Sequence, residues 1–131
     1  MRRVALVTLV VDDYDEALRF YTEALGFHLA EDAPRPDGSR WVVVEPGTEG
    51  GGTALLLARA KGEAQRARVG DQTGGRVGFF LHTDDFARDH ARMTAAGVAF
   101  LEAPRREPYG SVAVFQDLYG NRWDLLQPSA S

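Results

Sequence analysis

The acidic pair Asp12-Asp13 recurs as Asp84-Asp85, 72 positions on, and the glycine that ends the stretch after each pair, Gly26 and then Gly97, recurs after 71. A carboxylate just before an apolar stripe caps the first amides of a helix, and glycine takes the left-handed conformation that closes one. Two stretches punctuated alike, at one displacement, point to a single module used twice. That repeat narrows the folds open to the chain more than any other feature.

In the first stretch Tyr14, Ala17, Leu18, Tyr21, Ala24 and Leu25 fall on one helical face. Glu16, three residues after Asp13, completes the pattern of a capping box. The second helix is predicted over Phe86 to Ala96. Strands are predicted around the helices wherever short β-branched or aromatic runs lie between turn residues. They are Val4 to Val11, Trp41 to Glu45 and Thr53 to Ala58 in the first half, with an extra strand near His28 to Glu31. The second half offers Val77 to Leu81, Val98 to Leu101, Ser111 to Gln116 and Arg122 to Leu126. Pro36-Asp37-Gly38-Ser39 and the glycine-rich Gly47 to Gly52 mark turns, and the polar stretch Arg59 to Gly75 reads as an exposed connection with room for a short helix.

At 131 residues and 44% apolar the chain is expected to form one domain, residues 1–131, with module one at about 4–58, the connection at 59–75 and module two at about 76–127. A net charge of −4 without clustered Lys and Arg argues against a nucleic-acid partner. The absence of cysteine excludes disulfides, thiolate metal sites and a cysteine nucleophile. Asp12 and Asp13 cut the first apolar run far short of a membrane span, and no cleavable leader is recognised, so no membrane association and a cytoplasmic location are expected.

Four segments carry a resemblance when taken in order: Val7 to Tyr14, Phe20-Tyr21, Leu25-Gly26-Phe27, and the closing Asp117-Leu118-Tyr119-Gly120-Asn121. Together with the two β-α-β-β-β modules they resemble the vicinal oxygen chelate superfamily, the group of glyoxalases, bleomycin resistance proteins and extradiol dioxygenases. The resemblance covers roughly Val4 to Gln127 and departs from the family's closing turn at Leu118 and Tyr119. It implies an α+β fold of two tandem βαβββ modules whose curved mixed sheets form a cleft or half-barrel, paired in a homodimer.

It also implies where metal ligands stand in metal-dependent members. Those positions fall on Leu6, near Leu56, on Gly78 and on Asp124. Only Asp124 has a donor, and a divalent ion needs roughly three or four. No metal and no other cofactor are therefore expected. The alternative keeps a divalent ion through His82, four residues beyond Gly78 and on the same face by the period-two rule.

A ligand surface is then expected from Leu6, Trp41, Leu56, Gly78, Phe80, His82, Tyr109, Trp123 and Asp124, with Gly78 leaving room for a bulky molecule. Aromatic side chains on strands more often pack the core, so each of these is weighed against that role. Asp124 has three candidate roles: orienting a ligand, pairing with Arg76, or acting as a base. His82 is the other weak catalytic candidate. His28 and His90 are not site candidates, His90 standing where Leu18 stands in the first module.

The function these expectations favour is metal-free binding of a small aromatic or hydrophobic molecule, such as sequestration of an antibiotic or metabolite. The competing reading is a metal-dependent lyase, isomerase or dioxygenase of glyoxalase type. A third is a scaffold whose cavity its own side chains fill.

Overall fold

The computed structural model describes residues 1–50 and 52–130; Gly51, within the glycine-rich turn singled out above, lies outside the described residues. The chain divides into two compact units, Met1–Val69 and Gly70–Ser131.

The first unit opens with β1 (Leu6–Val11). Helix α1 (Tyr14–Arg19) starts where Asp13 Oδ2 accepts the Glu16 amide at 2.8 Å. It runs on through one π-helical turn, Phe20–Ala24, in which the Leu25 amide reaches the Phe20 carbonyl, and ends at Gly26 with φ +74°. The helical spacing did not foretell the wide turn. Then come β2 (His28–Pro34), β3 (Arg40–Glu45), β4 (Ala54–Arg59) and the short α2 (Gly62–Arg66) inside the connection. The sheet order is β1-β4-β3-β2, with β1 and β4 parallel and the rest antiparallel. The strand near His28 is therefore real and longer than the sequence suggested.

Period-two alternation sorts this sheet into two faces. Leu9, Leu57 and Val42 form one cross-strand row, fully buried, on the face that also carries Val11, Val44 and Leu55. Ala17, Tyr21 and Ala24 of the helical stretch are buried with them. Leu9, Leu57 and Val42, withdrawn from water, contribute about 1.5–3 kcal/mol each. The other face carries Leu6, Thr8, Val10, Leu56, Ala58, Trp41 and Val43, of which Val43 alone is buried.

The second unit repeats the plan: β5 (Val77–His82), α3 (Phe86–Ala95), β6 (Ala99–Phe100), β7 (Arg105–Glu107), β8 (Gly110–Gln116) and β9 (Arg122–Pro128). Asp85 Oδ1 accepts the Arg88 amide at 3.0 Å, and Gly97 closes the helix at φ +88°. The sheet runs β5-β9-β8-β6, with β7 also on β8 and β5 parallel to β9. Neither sheet closes into a barrel. Two details depart from the sequence reading. The strand expected over Val98 to Leu101 is paired only at Ala99–Phe100, and β7 was not foreseen, because its residues are charged and flanked by Pro104 and Pro108. Among the described residues no helix is long and apolar enough to cross a membrane.

Candidate functional site

In the second sheet the register separates two kinds of surface. Phe79, Trp123 and Phe115 form one row, and Leu81, Leu125 and Ala113 the next on the same face. This is the helix side. Phe86 and His90 stack at 5.5 Å, His90 meets Phe100 at 4.2 Å, and the chain of rings continues through Phe115 and Trp123 to Phe79. His90 is thus a packing residue, as its match to Leu18 suggested. Trp123 is only 4% exposed, stacked between Phe79 and Phe115, and is a core residue where a ligand contact was expected. Adjacent strand residues point to opposite faces, so Trp123 and Asp124 cannot both line one surface.

Asp124 lies on the open side, in a row with Phe80 and Val114, and His82 pairs with Leu126 on that same face. Phe80 is 61% exposed, an uncommon condition for a phenylalanine on a strand. Gly78 does not join them by simple alternation, because a β-bulge falls between Val77 and Phe79. Nor does it leave the space expected of it: a side chain there would run into the Thr73 methyl group.

Asp124 Oδ1 is sealed from solvent and accepts no hydrogen bond among the described residues. Burial pushes the carboxyl above its ordinary range; the Arg105 guanidinium opposes the rise and Glu102 adds to it. Arg76, proposed above as a partner, is not opposite Asp124, since Val77 already pairs with Arg122 two positions earlier on β9. The charges that do reach it come from Arg105, at the start of β7, and from Glu102 just before that strand. Arg105 donates to both Glu102 oxygens at 3.2 and 3.1 Å and to the Tyr109 hydroxyl at 3.3 Å, and Glu102 in turn accepts the Val114 amide at 2.9 Å. Tyr109, half exposed at the turn between β7 and β8, therefore holds Arg105 in place at the edge of this surface. The one sequence signal for these partners was the charge pair Glu102 and Arg105 at a spacing of three.

In the first unit the register puts Leu6, Leu56 and Trp41 on the face opposite the helix. Trp41 is partly exposed, with the Arg35 guanidinium over its ring at 4.5 Å. The closing Asp117-to-Asn121 segment is architectural: Asp117 Oδ1 accepts the amides of Tyr119, Gly120 and Asn121, and its Oδ2 accepts the Asn121 side chain.

A family model described as the Glyoxalase/Bleomycin resistance protein/Dioxygenase superfamily matches residues 3–125. The chain belongs to this superfamily. An uncharacterized protein of Shewanella frigidimarina is 52% identical over 122 residues, covering 92% of this chain and 90% of that one. Among solved structures, UcmS2 is 32% identical at a TM-score of 0.82, covering 96% of this chain and 98% of the other. TnmS3, an antibiotic binding protein from Streptomyces sp. CB03234, is 35% identical at a TM-score of 0.78, covering 98% of each chain.

Metal-dependent chemistry in this superfamily needs a set of donors, and the positions matched to it supply one carboxylate, Asp124, beside Leu6, Leu56 and Gly78. His82, which might have replaced a ligand, has Leu126 rather than a donor across from it. Among the described residues no three His, Asp or Glu side chains gather as a metal site would require.

Proposed function

We propose that this superfamily member reversibly binds a small aromatic or hydrophobic molecule without a metal ion, and that its role is to sequester an antibiotic or metabolite. The observation that carries the reading is the juxtaposition on one open sheet face of an exposed ring, Phe80, with a partly buried carboxylate, Asp124. A planar apolar ligand bearing one hydrogen-bond donor engages both: its ring covers Phe80 and its donor reaches the outer Asp124 oxygen, the inner one being sealed from solvent. Leu6, Leu56 and Trp41 offer the first unit's open face as a second surface of the same kind. The likeness to TnmS3, an antibiotic binding protein, supports a small-molecule ligand.

Screening planar aromatic compounds by quenching of tryptophan fluorescence tests the reading. Phe80→Ala and Trp41→Ala are each expected to weaken the best compound by about 0.5–1.5 kcal/mol for the lost ring pairing. Unchanged affinity in both variants sinks the assignment. A second reading, proton-transfer catalysis, draws support from Asp124 and His82 sharing a face; turnover lost in both Asp124→Asn and His82→Gln would favour it. The chain is further proposed to act as a homodimer, and a monomer mass by light scattering at micromolar concentration refutes that.

A further inference from the structure

On the helix side of the first sheet, away from its open face, a cleft of about 360 Å³ is lined by Tyr14, Asp37, Gly38, Ser39, Arg59, Ala60, Lys61 and Arg66. Its volume lies within the range of about 300–1,000 Å³ found for small-molecule sites. Three cations meet here from two directions. Arg59 ends β4, whose register puts it beside Val11, while Lys61 precedes α2 and Arg66 is its last residue. The backbone beneath them is fixed: the Ala60 amide donates to the Val11 carbonyl at 2.9 Å, and the Lys61 amide to Gln65 Oε1 at 2.8 Å.

Among the described residues none of these three side chains is engaged in an ion pair, although the neighbouring Arg40 is held by both Asp15 and Asp32. Among the described residues one carboxylate lines the cleft, Asp37, its Oδ1 accepting both the amide and the hydroxyl of Ser39. Tyr14 is nine-tenths buried, and its hydroxyl oxygen accepts the Arg40 amide at 3.3 Å, which leaves the phenolic proton to be donated. Three cations outside any ion pair and one buried phenol donor outweigh the single charge of Asp37, whose carboxyl the Ser39 hydrogen bonds hold below its ordinary range, and the recess is net positive.

We infer that this cleft is an anion site, distinct from the open sheet faces, that takes a small molecule carrying a phosphoryl or diphosphoryl group. The two guanidinium forks of Arg59 and Arg66 match tetrahedral oxyanions by bidentate hydrogen bonding, Lys61 adds a point charge, and the Tyr14 hydroxyl donates to a further oxygen. The cleft exceeds what a bare phosphate fills, so the rest of the molecule lies along the Tyr14 and Gly38 walls.

Calorimetric titration of the full chain with sodium pyrophosphate, inorganic phosphate and citrate at low ionic strength tests the inference. Pyrophosphate is expected to bind saturably at one per chain and to weaken with added salt. Arg59→Gln/Lys61→Gln/Arg66→Gln is expected to lose at least about tenfold in affinity, and Tyr14→Phe to lose affinity while keeping its thermal midpoint. A control with the same change of charge elsewhere, Arg19→Gln/Arg68→Gln/Arg92→Gln, is expected to bind as the parent does. Absence of saturable binding, an equal loss in the control, or citrate binding as tightly as pyrophosphate each overturns it.

Discussion

Replacing Trp123 and Phe80 in turn separates the two faces of the second sheet. They lie on neighbouring strands, one position out of register, and the structure gives them opposite environments: Trp123 is 4% exposed between Phe79 at 4.6 Å and Phe115 at 5.8 Å, whereas Phe80 is 61% exposed. Truncating a buried tryptophan removes transfer energy and leaves a cavity, together about 3–5 kcal/mol. Two ring contacts, at about 0.5–1.5 kcal/mol each beyond area, place Trp123→Ala toward the upper part of that range. Phe80→Ala removes a ring already in water and is expected to stay within about 0.5 kcal/mol of the parent. Urea unfolding followed by circular dichroism reads both. With a slope of about 1–3 kcal/mol per molar, Trp123→Ala shifts the midpoint down by more than about 1 M, while Phe80→Ala leaves it in place. Comparable losses in the two variants would refute the face assignment and the open site built on it.

Asp124→Asn tests the buried carboxylate. Burial raises the folded carboxyl above the unfolded value of 3.8, so Asp124 favours the folded state fully only below that value and this contribution is lost as pH rises through its folded pKa. The stability of Asp124→Asn relative to the parent should therefore improve from acid to neutral pH, and a flat difference in thermal midpoint contradicts the burial. Asp89 works in the opposite sense: burial alone would push its carboxyl up, but hydrogen bonds from Arg88 and Thr83 outweigh this and hold it below the ordinary range. Its contribution is present above the unfolded value of 3.8 and lost as pH falls through its folded pKa, so Asp89→Asn should cost stability at neutral pH and little in acid. Asp85→Ala removes the cap on α3 and is expected to cost about 1 kcal/mol in thermal unfolding; no change would mean that the Arg88 amide finds another acceptor.

Both helices and most strands were legible in the sequence because local chemistry fixes them: Asp13 and Asp85 cap, Gly26 and Gly97 close, and the β-branched runs pair. The closing turn was legible too, since Asp117 gathers its amides locally. What escaped depends on register. Alternation along β9 already forbade Trp123 and Asp124 from sharing a face, and only the pairing of Phe80 with Asp124 shows which of them faces the core. The bulge at Gly78 broke a count of two that no residue pattern announces, and Thr73, brought in by the preceding loop, fills the space the glycine appeared to leave. Arg105 and Glu102 near Asp124, like Arg59, Lys61 and Arg66 around the cleft, read in sequence as solvated charges, because what gathers them is tertiary.

Ligand binding by this chain is expected to need no metal. The most direct test measures the affinity of the best aromatic compound for chelator-stripped protein against protein preloaded with Zn, Mn, Ni or Fe(II), with bound metal counted in each sample. Affinities equal within about twofold, with no ion retained after excess is removed, are expected. Binding that appears only on metal loading, or one tightly held ion per chain, contradicts it.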